Sequence, residues 1–338
     1  MTDYFRPLVQ IGPARPDTAV SLAGGWGWFT HAEVLSRSAP PRVVPAADIP
    51  ASVMERLTAP RPTMAGLTLD RPRIMGILNT TPDSFSDGGQ HNAVPDALRV
   101  AQEMVAAGAD ILDIGGESTR PGADFVPVSG EITRTAPVIA ALRGAGLHTP
   151  ISIDTRKAAV AEAAVNAGAN LVNDVSGFTF DPALGPLCQK LALPVCVMHA
   201  QGDPATMHLD PQYDNVLLDV FDALERQISM LEASGIPRGA ILADPGIGFG
   251  KTQDHNLVLL ARLSLFHALG TPILLGVSRK RFIGTIGNAP QAQDRAPGSI
   301  AVALAGLGQG VQMIRVHDVD DTRQAVALWH AAYFGSIL

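Results

Sequence analysis

Cysteine is nearly absent: Cys188 and Cys196 are the two in 338 residues. Neither lies at a metal-ligand spacing, and Cys196 sits inside an apolar run, so a disulfide scaffold is excluded and both read as buried thiols of a reducing compartment. Aromatic residues make up 5% and charged residues 17% of the chain. No block of like charge is long enough to form a tail, and the net charge of −7 leaves no general basic face for nucleic acid. A few converging Lys and Arg side chains could still build a pocket for a small anion. Long hydrophobic runs are missing as well. The most apolar stretch, residues 299–311, is interrupted by Gly306, Gly308 and Gly310 and is too short to span a bilayer. The opening MTDYFRPLVQ has no basic region followed by an apolar one, so no secretory signal is expected. A soluble, cytoplasmic protein with no membrane and no nucleic-acid partner is the expectation.

What is present is a globular core: hydrophobic residues reach 46%, with 33 Gly and abundant Ala, a mix suited to helices packed closely on a parallel sheet. Residues 1–70 differ from the rest. They are rich in Pro and Arg, carry Trp26 and Trp28, and offer a helix only near 50–57. They are expected to form an irregular N-terminal extension of strands and loops packed on the main domain, with both tryptophans covering apolar surface there. From Arg73 onward, short apolar runs alternate with Ala-rich amphipathic stretches, the pattern of repeated βαβ units. Strands are expected at 74–78, 111–114, 151–153, 171–173, 195–198, 241–243, 273–277 and 311–316, with helices at 94–107, 132–143, 158–167, 217–233, 257–269 and 300–307. Gly108 and Gly168 each fall just past a helix and just before a strand. Eight β-then-α units over residues 71–338 predict a (β/α)8 TIM barrel in preference to an open doubly wound sheet.

In such a barrel the chemistry gathers at the C-terminal ends of the strands. Those positions hold Asn79, Asp113 with Glu117 and Arg120, Asp154, Asn173, His199, Asp244, the run Ser278-Arg279-Lys280, and Arg315 with His317. Helix capping would need only an occasional Ser, Thr, Asp or Asn there; the convergence of so many polar groups points to a site. The carboxylates and amide of Asp154, Asn173 and Asp244 can read a flat heterocycle presenting adjacent N–H groups. Arg120, Lys280, Arg315 and His317 supply donors for an anion, and an Arg can also stack on a ring. Asn79 offers a neutral oxygen suited to Mg2+, which binds through few protein groups plus substrate phosphates. The pattern is that of a barrel binding a polar heterocycle beside a phosphate group. Two tempting motifs fail. In the glycine-rich segment 246–252 the first Gly of a P-loop would fall on Pro245, and the glycines at 306–310 lack the strand and spacing of a dinucleotide fingerprint.

These residues sit in recognisable blocks. The segment Met75-Gly76-Ile77-Leu78-Asn79-Thr80-Thr81-Pro82-Asp83-Ser84-Phe85-Ser86-Asp87-Gly88-Gly89 resembles the first signature of the dihydropteroate synthases, and Asp113-Ile114-Gly115-Gly116-Glu117-Ser118-Thr119-Arg120-Pro121-Gly122 resembles the second. Ser152-Ile153-Asp154-Thr155, Asn173-Asp174-Val175, Met198-His199, the run from Asp244 to Lys251, Ser278-Arg279-Lys280 and Arg315-Val316-His317-Asp318 follow in family order. The resemblance covers residues 73–335. It implies joining of 4-aminobenzoate to a dihydropterin methyl diphosphate, with diphosphate released, in folate synthesis. It implies that Asp154, Asn173, Asp244 and Lys280 hold the pterin edge while Arg315 stacks on its face. Asn79, Arg120, Arg315 and His317 would take the diphosphate, with Mg2+ at Asn79. Thr119, Pro121, Phe249, Ser278 and Arg281 would line the aminobenzoate slot, and Arg120, Asp154, Lys280, Arg315 and His317 would carry the catalysis. A homodimer is implied as well. Two features depart from the family: Arg281 stands where a small hydroxyl residue is common, which predicts an ion pair to the aminobenzoate carboxylate, and the extension is longer than the usual leader. A methyltetrahydrofolate-type methyltransferase would share the pterin readers but has no use for the phosphate set. A non-catalytic pterin-binding relative is expected to have lost the first two loops.

Overall fold

The computed structural model describes residues 3–80, 93–118, 125–202, 207 and 209–337. Ahead of the barrel, β1 (Tyr4–Pro7), β4 (His31–Leu35) and β5 (Arg42–Pro45) form an antiparallel three-stranded sheet, while β2 (Val20–Ser21) pairs with β3 (Trp28–Phe29). Helix α1, Ala51–Thr58, lies close to the helix expected at 50–57. The barrel strands are β6 (Arg73–Asn79), β7 (Ile111–Gly115), β8 (Ile151–Asp154), β9 (Leu171–Asp174), β10 (Val195–Met198), β11 (Ile241–Asp244), β12 (Leu274–Leu275) and β13 (Met313–Val316). They form one eight-stranded sheet in the order β11-β10-β9-β8-β7-β6-β13-β12, all pairs parallel. A parallel bridge from Ala243 to Ile273 joins the two ends, so the expected (β/α)8 barrel closes.

Successive side chains of a strand point to opposite faces, and here both faces are apolar for different reasons. Ile74, Leu112, Ile114, Ile151, Ile153, Val172, Val195, Val197, Ile241 and Ile314 belong to the large cluster packed against the helices. Met75, Ile111, Leu171, Cys196, Leu242, Leu274 and Met313 form a separate cluster inside the barrel, together with Met64 and Leu69. These last two come from the segment before β6, where Met64 and Leu67 exchange backbone hydrogen bonds of 2.8 Å. They pack on residues at or near the strands' N-terminal ends, so that end of the barrel is plugged. Two residues further along, the same inward face turns polar: Asp113, Asn173, Asp244 and Arg315. The fold therefore separates a sealed apolar floor from a polar mouth within one set of strands.

The flanking helices are α2 (Ala93–Ala106), α3 (Val128–Gly144), α4 (Ala158–Ala167), α5 (Leu184–Lys190), α6 (Val216–Ala233), α7 (Gln253–Ala261), α8 (Arg281–Ile286), α9 (Ala296–Gly308) and α10 (Val319–Phe334). Gly168 ends α4 at φ 118°, a left-handed cap; a Cβ there would stand 2.7 Å from Arg143 Cγ, so the position is closed to larger residues twice over. The helix expected over 257–269 divides into α7 and a 3-10 turn at Leu263–Leu269. α10 lies beyond the expected helices, although Val319, Thr322, Val326 and Trp329 bury one face of it. No described helix is long and apolar enough to cross a membrane.

The extension docks on the helices of the barrel's second half. Tyr4 donates to both carboxylate oxygens of Asp222 at 3.0 and 2.9 Å, Ser264 donates to Pro7 O at 2.9 Å, and Arg37 pairs with Asp219 and Asp222. Trp26 donates its indole N–H to Leu307 O at 2.9 Å and meets Trp329 edge-on, as its expected covering role requires. Trp28 donates instead to Gly12 O, within the extension. At this seam Arg61 donates to the carbonyl of the fully buried His267, whose Nε2 donates to Gln309 O. Burial pushes the His267 pKa down to about 3. As pH falls from about 6.5 toward 3, the unfolded chain binds a proton that the folded one refuses, so stability is lost on acidification at up to about 1.4 kcal/mol per pH unit. Urea unfolding at pH 7 and pH 5 checks this: His267→Gln should flatten the pH dependence, and an unchanged dependence would contradict the assignment.

Candidate active site

Strand register brings the mouth together. Asn79 pairs in register with Gly115, Gly115 with Asp154, and Asp154 with Asn173, placing four adjacent strand ends on one level. Gly115 has no side chain between its neighbours: a Cβ there would stand 3.5 Å from Asp154 Cβ and 3.8 Å from Asn79 Oδ1. From β13, which lies on the other side of β6 from β7, Arg315 extends between two carboxylates. Its Nε donates to Asp113 Oδ2 at 2.5 Å and its Nη2 to Asp154 Oδ2 at 2.8 Å. Asn173 donates to the same Asp113 oxygen at 3.2 Å, while Asp113 Oδ1 is buried without a partner among the described residues. Burial pushes the Asp154 carboxyl up to about 7, Arg315 pulling it back and Asp113 adding to the push. Burial lowers the Arg315 pKa, but Asp113 and Asp154 outweigh it and the net shift is upward. The guanidinium is thereby charged and held in one plane by two partners.

A second group forms around Asp244. It is 6% exposed and its Oδ1 accepts from Gly246 N at 2.7 Å; burial raises its pKa against the pull of Lys280. Burial lowers Lys280 to about 8, with Asp244 opposing. The Lys280 ammonium donates to Ile247 O and lies 4.1 Å from the centre of the Phe249 ring, a cation–π contact. The neighbouring Arg279 adopts a left-handed φ of 58°, a strained conformation for a non-glycine residue. It turns outward to pair with Asp318, and the chain on either side of it presents Ser278 and Lys280 to the mouth. Ser278 Oγ accepts from His317 N at 3.1 Å and lies 2.9 Å from His317 Nδ1, which ties it to the residue expected to bind the diphosphate.

The structure thus gathers Asn79, Asp154, Asn173 and Arg315 in one group, Asp244, Lys280 and Phe249 in a second, and Ser278 with His317 beside them. Thr119, Arg120 and Pro121 lie outside the described residues. Arg281 opens α8 and is exposed. Glu117, one of the polar strand-end residues, serves the structure and not a substrate. It accepts from Val126 N at 3.0 Å and pairs with Arg156 and Lys157. Two residues lie beyond the substrate roles read from sequence. Asp113 stands at a strand end without an assigned contact, yet it anchors Arg315 and Asn173. Arg156 carries no signal in the sequence; it lies 4.0 Å over the Phe180 ring and, with Ser176, Thr179, Met207 and Phe249, lines a cavity of about 150 Å³.

The arrangement offers edge-on hydrogen-bonding groups with a locked guanidinium alongside, chemistry suited to a polar ring, and agrees with what the chain is similar to. Residues 75–317 match the family model described as pterin binding enzyme. The dihydropteroate synthase of Synechocystis sp. is 44% identical over 259 residues, covering 75% of this chain and 89% of the relative. A crystal structure of Yersinia pestis dihydropteroate synthase in a sulfonamide drug complex superposes with a TM-score of 0.75 at 45% identity, covering 80% of this chain and 98% of that one. Xanthomonas albilineans dihydropteroate synthase with 4-aminobenzoic acid also gives 0.75 at 45% identity, with coverages of 79% and 96%. With most of this chain matched and nearly all of each relative spanned, the chain belongs to the dihydropteroate synthase family of pterin-binding enzymes.

Proposed function

We propose that this transferase condenses (7,8-dihydropterin-6-yl)methyl diphosphate with 4-aminobenzoate to give 7,8-dihydropteroate and diphosphate in folate biosynthesis. The observation that carries the reading is the Asp113–Arg315–Asp154 arrangement, level with Asn173 and beside Asp244 and Lys280. Asp244, Asn173 and Asp154 hold the pterin's N–H edge, and Lys280 donates to its acceptor side. Arg315, fixed in its plane, stacks on the ring. The methylene C–O bond breaks first, its electron pair leaving with the diphosphate; the resulting pterin methylene cation is stabilised by the surrounding carboxylates and by delocalisation into the pterin ring. The amine nitrogen of 4-aminobenzoate then forms the new C–N bond and loses a proton. His317, Arg120 and Arg315 bind the leaving diphosphate, so the catalysis is electrostatic and needs no covalent nucleophile.

Mg2+ fits the donor set at Asn79. Its amide oxygen stands above Gly115, next to Asp154, a neutral oxygen of the kind Mg2+ takes alongside substrate phosphates. When bound, it would neutralise charge on the diphosphate. The 150 Å³ cavity beside Phe249 has the volume of one that holds a benzene-sized ring, and supports placing the arylamine there, with Arg156 as the nearby cation. A cytoplasmic location belongs to the same reading, supported by two buried free thiols. A homodimer does too, and sedimentation velocity checks it.

Pyrophosphate release in a coupled assay tests the function: release should require both the pterin diphosphate and 4-aminobenzoate. No release with both present would leave a methyltransferase or a non-catalytic binder. Because Arg281 is exposed, an ion pair from it to the arylamine carboxylate is worth only about 0–1 kcal/mol and fades with salt. Arg281→Ala should therefore raise the KM for 4-aminobenzoate by no more than about fivefold, leaving the pterin diphosphate KM unchanged. Steady-state kinetics at low and high salt decide it; a larger, salt-independent loss would place Arg281 inside the slot.

A further inference from the structure

The loop after β11 lies directly against the chain leaving β10. A Cβ on Gly246, at φ +66°, would stand 1.9 Å from His199 O, so nothing but glycine fits the crossing. Lys251 enters this seam from the loop's far end. It is 5% exposed, and its Nζ donates to Gly246 O at 2.9 Å, Phe249 O at 3.0 Å and His199 O at 3.3 Å, and lies 2.9 Å from His199 Nδ1. An ammonium has three N–H donors and no acceptor, so Nδ1 accepts, the ring proton sits on Nε2, and the longest contact, to His199 O, shares an N–H with a nearer acceptor. Burial keeps His199 neutral, its pKa lowered to about 3. One cation therefore gathers acceptors from both loops. The gathered loop in turn holds the pterin readers: Gly246 N donates to Asp244, Ile247 O accepts from Lys280, and the Phe249 ring lies under the Lys280 ammonium. Neither Lys251 nor His199 takes part in the proposed reaction.

We infer that Lys251, with His199 as its acceptor, is a positioning residue that sets loop 245–250 and, through it, the placement of Asp244 and Lys280 against the pterin edge. The inference rests on the pterin-site reading of the proposed function. A space-filling side chain would not account for it. Burial penalises the ammonium, lowering its pKa to about 7, and that penalty is offset only where the carbonyls it meets would otherwise lack a donor. His199 is needed in its neutral form, as acceptor, for the same reason.

Two measurements on full-length Lys251→Met test it, with Lys251→Gln, which keeps an amide donor, as the milder variant should the first fail to fold. Hydrogen exchange without ligand should speed up about tenfold or more in the peptide covering 245–250 while the barrel strands keep their protection. Calorimetric titration with 6-hydroxymethyl-7,8-dihydropterin should show affinity falling about tenfold or more for Met, and less for Gln. Unchanged exchange overturns the clamp. Faster exchange with wild-type affinity overturns its link to the pterin readers. Failure of the wild-type protein to bind the pterin would instead overturn the proposed function, and exchange would still decide whether Lys251 fixes the loop.

Discussion

Arg315→Met should destabilise the protein by about 3–5 kcal/mol and abolish turnover. Among the described residues, the guanidinium is the one cation paired with both Asp113, which is fully buried, and Asp154, whose side chain is 14% exposed. Without it, two neighbouring carboxylates remain with no compensating charge, and removing one partner of a buried ion pair costs about that much because the other charge stays desolvated. The protein would respond by taking up a proton. The Asp154 pKa, already raised by burial and restrained by Arg315, would climb further. A double variant separates the pair energy from lost packing: Asp113→Leu in the Arg315→Met background should recover part of the stability, since an apolar side chain no longer needs the cation. Urea unfolding of the single and double variants supplies the numbers. A loss below about 1 kcal/mol for Arg315→Met would mean that the pair is solvated and the locked guanidinium is not a feature of the site.

Asp244→Asn should leave the fold intact and weaken pterin binding by about 1.5–3 kcal/mol, a loss of roughly ten- to a hundredfold in affinity. The carboxylate presents acceptors on both oxygens, and Gly246 N occupies one of them. The amide replaces an acceptor by a donor, so it must give up either the loop contact or a pterin N–H. It also removes the charge that supports Lys280 and Lys251, both of which Asp244 holds up against burial. Their pKa values should fall, so the variant's pterin binding should decline at lower pH than that of the wild type as pH is raised. Calorimetric titration over pH 6 to 9 reads both effects; a folded variant with unchanged affinity at every pH would remove Asp244 from the site.

Much of the barrel was legible because its determinants are local. A strand buried on both faces has to be a short apolar run, and 111–114, 151–153, 171–173, 195–198 and 241–243 each fall within one residue of the observed strands. The expected strand at 273–277 shrinks to Leu274–Leu275, because Ile273 serves as the closing bridge to Ala243 and the chain after Leu275 turns toward the strained Arg279. The helix expected over 257–269 tightens at its end for a tertiary reason. Ser264 donates its backbone N–H to Gln309 and its hydroxyl to Pro7, contacts that a continuous α-helix ending at 269 would not need to make. α10 carries a readable signal, with Asp320 and Asp321 in its first turn and an apolar residue or threonine every three or four positions; its weak amphipathicity obscures it.

The site divides along the same line. Residue type and strand-end position mark Asn79, Asp154, Asn173, Asp244 and Arg315 from sequence, because a parallel barrel places every strand's C-terminal end at one mouth and the inward face follows from period two. Nothing local says that Arg315 lies between Asp113 and Asp154, residues 202 and 161 positions away; only closure of β13 onto β6 brings them together. Nor does sequence reveal that Met64 and Leu69 plug the floor, or that Lys251 reaches His199 across 52 residues. These pairings depend on desolvation, which a residue acquires from its neighbours in space. Local pattern is enough to specify the barrel and the chemical types at its mouth, whereas which of those charges pair with one another and which hold the loops depends on contacts that form only when distant strands close together.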